Sequence, residues 1–457
     1  MQAALRLATV LAILAAFAGK SSAQISLSSA VDLALRNDPR VKVGQAEVNK
    51  AAAALAQTRD VYLPTASVDG GYGQGLGVPT GLPTVFSFSS QSLLFNFSQR
   101  DNIRAAVAAL DSARFALRDT HDQVAEDAVV TYLNLDNDQR RQTAMNQEFE
   151  FADRLVNIVQ DRVDAGQDTR TSLLRARRTA KQIELDKLQL ADDIAALSAH
   201  LSHLIGFPIT SFTAVSDSIP ALPSIASLVE STTPSGQTDA FVLESADANA
   251  RSKQELAFGE HRYLLRPQIS LAVNYSRIDT GQNDYTTYYP SFKSKSENAA
   301  SVYFQITIPI YDRRHQEESR EASAEASRAT FEAAGQRTQL LESRFKLQHS
   351  ATELATRAEL AEIDRDLAEE QLNSTLIQLQ SGAQPNGAAV MTPEDEQNAR
   401  LQERQRYIEL LSTQFELQQA QVNLLRQTGV LDDWLKSALA APATPSPSLQ
   451  TAPPTSQ

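Results

Sequence analysis

The chain has 457 residues, a formal net charge of −13, no cysteine and 6% aromatic residues. The acidic balance argues against a nucleic-acid partner, which needs a basic stripe to neutralise phosphates. A mean hydropathy of −0.30 rules out a polytopic helical membrane protein, and without cysteine there is neither a disulfide framework nor a thiol for lipidation.

The N-terminus reads as a secretory signal. Met1–Arg6 carries one cation, Leu7–Ala18 is a short apolar run, and Ser21-Ser22-Ala23 supplies small residues for cleavage, so residues 1–23 are expected to leave and Gln24 to begin the mature chain. No other apolar stretch is long enough to span a bilayer as a helix.

A first structural repeat is predicted over 24–205: a helix, strands at about 64–73 and 84–97, a long helix over 98–165 and a return helix over 168–205. After a linker at 206–238, a second repeat over 239–434 has the same order: a helix, strands at about 267–278 and 300–311, a long helix over 312–381 and a return helix over 393–428. The remainder, 435–457, with Pro442, Pro445, Pro447, Pro453 and Pro454 among Ser, Thr and Ala, cannot bury a core and is expected to be disordered.

The strand assignments rest on a period of two. Val302, Phe304, Ile306, Ile308 and Ile310 alternate with Tyr303, Gln305, Thr307 and Pro309, and Ile269, Leu271, Val273 and Tyr275 alternate with polar residues. In the first pair, Phe86 and Phe88 alternate with serines, then Leu93, Phe95 and Phe97 take over in the opposite register. One apolar face and one of Ser, Thr, Gln and Asn, with polar or Gly-rich loops between partners, is the signature of a membrane β-barrel strand. Pro309 cannot donate to a ladder and is expected at the rim.

The helix assignments rest on absent breakers. Ser98–Ala165 has neither Gly nor Pro, and Asp312–Gln380 has no Pro and only Gly335; each could reach about 100 Å. Such lengths need a continuous apolar seam. Positions 173, 176, 180, 183, 187, 190, 194, 197, 201 and 204 keep a 3-4 spacing broken only by Lys187, and Leu401, Ile408, Leu411, Phe415, Val422 and Leu425 repeat it more loosely. Gly166 and Gly382 are placed at the tips ending the long helices, and Gly206 and Gly429 at the ends of the return helices. The strand-to-helix junctions are placed at Ser98 and Asp312. Four strands cannot close a membrane barrel, so the chain must oligomerise, two, three or four copies giving 8, 12 or 16 strands.

With Ala30-Val31-Asp32-Leu33-Ala34-Leu35-Arg36-Asn37-Asp38-Pro39, Tyr62-Leu63-Pro64, Leu204-Ile205-Gly206, Pro309-Ile310-Tyr311-Asp312 and the two tip glycines in this order, the chain resembles the TolC-like outer-membrane efflux protein family. The resemblance implies a mainly α chain with a membrane β-barrel: four strands per chain in a 12-stranded homotrimeric barrel, continued by a coiled-coil helical barrel. It implies a Gram-negative outer membrane extending into the periplasm, with outer-membrane lipid, a periplasmic adaptor and an inner-membrane pump of RND, ABC or MFS type as partners. The tips at Gly166 and Gly382 would dock the adaptor. No catalysis and no cofactor or metal is expected. The family carries acidic side chains after the second tip, at its periplasmic aperture; the matching positions are Asp395 and Asn398, flanked by Glu394 and Glu396. The alternative for these acids is a charged first helical turn on a positive helix end.

Two features depart from the family pattern. Asp312-Arg313-Arg314 stands where glycine is common, and the second tip carries about seven extra residues within Gln384–Thr392. The competing reading of the whole chain is a secreted or periplasmic coiled-coil scaffold or adhesin without a pore. His200 and His203 lie one turn apart without a carboxylate or cysteine at ligand spacing, and read as solvated or seam-edge residues. Phe86, Phe88, Tyr288 and Tyr289 are candidates for interfacial aromatics.

Overall fold

The computed structural model describes residues 23–71, 84–207, 212–225, 227, 240–279, 296–381 and 392–440. Residues 1–22 of the expected signal peptide, much of the linker, Tyr288, Tyr289, Gly382, most of the tip insertion and the chain beyond Ala440 lie outside them. In order, the elements are β1 (Ala23–Ile25), α1 (Leu27–Asn37), α2 (Pro39–Asp60), β2 (Thr65–Gly70), β3 (Thr84–Phe95), α3 (Phe97–Asp164), α4 (Arg170–Ile205), β4 (Phe212–Ala214), a 3-10 turn (Ser216–Ser218), α5 (Phe241–His261), β5 (Gln268–Asp279), β6 (Ser296–Thr307), α6 (Arg313–Ser381), α7 (Pro393–Gln427) and α8 (Leu431–Ala440). Two compact units result: one of residues 1–42, 119–240 and 340–457, the other of 43–118 and 241–339.

In the first unit the α4 seam is buried as its spacing demands. Leu173, Ala176, Ile183 and Leu190 pack with Met145, Ala152, Leu155 and Val159 of α3 and with Leu401 of α7. Lys187, the polar break, holds its Nζ 5.3 Å from the centroid of the Phe149 ring, so the cation is met by an aromatic face instead of bare hydrocarbon. The nearby Glu148 carboxyl is pushed up to about 7 by burial and by the Asp186 charge.

The same unit contains a contact that the sequence reading misses. β1 pairs in parallel with β4, Ala23 opposite Phe212 and Ile25 opposite Ala214, inside the stretch expected to be a linker. Fully buried Tyr132 locks the bridge: its hydroxyl donates to the Ile25 carbonyl at 2.7 Å and accepts from the Val215 N–H at 2.7 Å. Gln139 clamps β4 from both sides, donating to the Phe212 carbonyl and accepting from the Ala214 N–H. At the C-terminal end, Leu431–Ala440 is helical where composition suggests that disorder begins at 435. Leu431, Trp434 and Leu435 fall on one buried face, and the indole of Trp434 donates to the Ala221 carbonyl. Three apolar residues at i, i+3 and i+4 are enough to dock that turn.

The second unit holds a four-stranded antiparallel sheet in the order β2-β3-β5-β6. Its helices approach closely through small residues. Ala250 packs on Ala329 and Ala333, and the buried Ser252 hydroxyl donates to the Ala105 carbonyl at 2.8 Å. A Cβ at Gly259 would stand 2.7 Å from Asn102 Oδ1 and 3.4 Å from the Ser98 carbonyl, so glycine there sets the spacing of α5 against α3.

Candidate functional site

The sheet presents two chemically distinct faces, because directly paired residues share a face. On one face lie Val68, Phe88, Tyr275 and Ala300, then Ala66, Ser90, Val273 and Val302, then Leu271 and Phe304, then Phe95, Ile269 and Ile306. The other face carries Ser67, Ser89, Asn274 and Ser301, then Thr65, Gln91, Ala272 and Tyr303, with the Ser67 and Ser89 hydroxyls 2.7 Å apart. The register change within the first strand pair has a simple cause. A shift between Leu93 and Phe95 places the extra residue at Leu94, a bulge that carries Phe95 onto the face of Phe88, whereas Leu93, before the bulge, stands opposite Ser270 on the other face.

Among the described residues nothing covers the outer part of the apolar face. Val302, Phe304 and Ile306 are 69%, 69% and 64% exposed, and Ile308 and Ile310 continue the stripe past the last ladder residue. The Leu265 N–H donates to the Pro309 carbonyl at 2.9 Å; Pro309 thus lies outside β6, accepting but never asked to donate. From Ala300 to Ile310 the stripe runs about 33 Å along the strand, or about 25 Å of height at a tilt near 40°, the thickness of a barrel's apolar band. Among the described residues β2 and β6 each have one neighbour, leaving open edges.

At the foot of the sheet both long helices begin with a side-chain cap. Asp312 Oδ1 accepts from the His315 N–H at 3.0 Å. In the first repeat the corresponding acceptor is Asn96 Oδ1, bonded to the Ser98 N–H at 2.9 Å, so Ser98 is the second helical residue, not the counterpart of Asp312. The first junction therefore lies two residues earlier than Ser98, at the capping residue Asn96. Ser98 is buried beneath α5. Beside it, the carboxylate of Asp101, 2% exposed, meets Arg104 and Arg262 at 3.2 Å each.

The first tip is built as its glycine suggests. Gly166 has φ +73, its N–H donates to the Val163 carbonyl at 3.0 Å, and the Gln167 N–H donates to the Arg162 carbonyl at 2.8 Å, the paired bonds of a Schellman ending. Thr169 then caps α4 through the Ser172 N–H. Hydrogen bonds from the Ser172 hydroxyl and the Thr169 N–H hold the Asp168 carboxyl below its ordinary range.

The acids that open α7 are individually engaged. Asp395 forms a capping box with Thr392: its Oδ2 accepts from the Thr392 N–H at 2.7 Å and from the Thr392 hydroxyl at 2.8 Å. Glu394 lies 3.7 Å from Arg162, which also faces Asp168 at 3.8 Å. Glu396 binds Arg400 at 2.8 Å, and Asn398 is exposed. Two guanidinium groups thus meet three of these carboxylates, and among the described residues Asp395 is held by Thr392 alone, which leaves the patch acidic. His200 does meet a carboxylate, its Nε2 lying 3.2 Å from Asp127 Oδ1, but among the described residues no three such side chains converge on a metal position. Phe86 contacts Tyr275 edge-on at 6.2 Å. No helix of the described residues is long and apolar enough to cross a membrane.

The profile described as "Outer membrane efflux protein" matches residues 30–207. Comparison with curated proteins returned no match. Among solved structures, the outer membrane protein VceC from Vibrio cholerae superposes with a TM-score of 0.69 at 16% identity, covering 88% of this chain and 96% of that chain. The CmeC outer membrane channel of Campylobacter jejuni gives 0.69 at 15% identity, covering 90% of this chain and 89% of that one. The open state of the MtrE outer membrane channel of Neisseria gonorrhoeae gives 0.62 at 14% identity, with 89% of each chain covered. Residues 30–207 thus match the outer membrane efflux protein profile, and over 88–90% of its length the chain has the fold of these outer membrane channels.

Proposed function

We propose that the protein is a passive duct in the outer membrane of a Gram-negative bacterium. In this reading three copies close one barrel from their β2–β3–β5–β6 sheets, with the apolar face to lipid and the face of Ser67, Ser89, Asn274 and Ser301 to the lumen. The long paired helices continue the wall into the periplasm. The carrying observation is the sheet itself: a face whose Val302, Phe304 and Ile306 are more than three-fifths exposed, on a sheet with two open edges that no bilayer tolerates unpaired.

The chain would do no chemistry. An inner-membrane pump supplies the energy, and a periplasmic adaptor engages the tips at Gly166 and Gly382. Glu394, Asp395 and Glu396, with Asn398, are assigned to the periplasmic aperture. There the excess negative charge of each chain, brought together by rotational symmetry, would favour cations. Their engagement by Thr392, Arg162 and Arg400 makes them a fixed ring and not a loose one.

Detergent-extracted protein should give steady conductance steps in a planar bilayer. A chain that is soluble without detergent and electrically silent would instead support the scaffold reading.

A further inference from the structure

Leu265 is, among the described residues, the one non-glycine residue in the left-handed region, at φ +60. A leucine there is strained, yet its side chain is 70% exposed, so burial within the protomer does not compensate. The bond from its N–H to the Pro309 carbonyl fixes the turn in this shape. Next to it Arg266 is exposed, with no carboxylate at ion-pair distance among the described residues. Its guanidinium sits 4.9 Å from the Phe97 centroid, and Phe97 stacks edge-on against Phe95 at 4.7 Å. Phe95 stands opposite Ile269 on the apolar face. A chain of two rings therefore holds the cation at the foot of that face, with its N–H donors bonded to none of the described residues. Ile310 and Tyr311, 79% and 76% exposed, extend the apolar surface at this level.

An apolar side chain held outward at the expense of backbone strain, beside a guanidinium paired with none of the described residues, calls for hydrocarbon and an anion within one residue of each other. That juxtaposition exists at the headgroup boundary of a phospholipid leaflet. We infer that the Leu265–Arg266 turn is a membrane-surface anchor, Leu265 entering the acyl boundary and Arg266 binding the phosphate of an anionic phospholipid at the helical end of the sheet; this rests on the channel reading.

The test titrates the detergent-purified full chain with phosphatidylglycerol or phosphatidylcholine and counts retained lipid by mass spectrometry of the intact complex. Phosphatidylglycerol should be retained about fivefold better, the ratio for one arginine near a charged surface, and Arg266→Gln should bring the two lipids to parity. Leu265→Gly, which suits the left-handed backbone, should lower retention of both lipids and keep the preference. No preference in the unaltered chain, or a preference that survives Arg266→Gln, overturns the anchor. Conductance of the same preparation separates the failures. A conducting channel without lipid preference rejects the anchor alone; a preparation that neither conducts nor retains lipid rejects the channel reading with it.

Discussion

Gly206 and Gly166 end successive helices with nearly the same backbone, φ +77 and +73, but in different surroundings. A Cβ at Gly166 meets nothing within 4 Å, whereas at Gly206 it would stand 2.9 Å from the Asn37 Cβ. Asn37 in turn donates to the Ile205 carbonyl at 2.6 Å. Gly166→Ala should therefore cost only the left-handed strain, about 1 kcal/mol. Gly206→Ala adds displacement of Asn37 and loss of its hydrogen bond, about 1–1.5 kcal/mol more, for a total near 2–2.5 kcal/mol. Denaturant unfolding in detergent, followed by helical circular dichroism, reads the difference. In an Asn37→Ala background the excess cost of Gly206→Ala should shrink toward the Gly166→Ala value. Equal losses for the two alanine variants in the unaltered background would refute the close-approach argument.

Other consequences can be checked separately. Phe304→Arg should cost about 2–4 kcal/mol per chain in membrane insertion, while Gln305→Arg on the opposite face should leave insertion intact and alter conductance; similar insertion defects would sink the face assignment. Thr392→Ala should lose about 1 kcal/mol of helix capping without changing charge, so a rise in conductance on Asp395→Asn that Thr392→Ala does not reproduce marks an electrostatic aperture. Burial, then the charges of Asp432 and Asp119, push Asp122 up to about 6. Its folded form binds a proton more tightly than the unfolded chain does, so stability falls as pH rises from about 4 to about 6 and stays lower above. Asp122→Asn should accordingly stabilise by about 1 kcal/mol at pH 7.5, after allowance for solvent screening, and by much less at pH 4; equal gains at both would contradict the assignment.

What the sequence determined by itself was whatever repeats at short range. The alternation of Val302 to Ile310, the unbroken helices, the α4 seam and the glycine endings at Gly166, Gly206 and Gly429 depend on a residue and its neighbours within one or two turns. All three glycines take the left-handed conformation, because no other residue enters it without strain. Composition at the C-terminus misled, since three well-spaced apolar residues dock Leu431–Ala440 against a long-range partner.

Tertiary structure decided what depends on residues far apart in the chain. β1 and β4 are three-residue strands, too short to carry a period, and exist only because Tyr132 and Gln139 satisfy their polar groups. Lys187 breaks the heptad on paper but meets Phe149 in space. The bulge at Leu94 follows from pairing with β5, and Asn96 rather than Ser98 caps α3 because the cap is set by which N–H its side chain reaches. Asp395 belongs to the same class: the sequence supplied an acid near a helix start, and the geometry bound it to Thr392. Short-range patterns specify elements because their cause is local sterics and one-sided burial; partners across the fold are chosen by distance, which the order of residues does not contain.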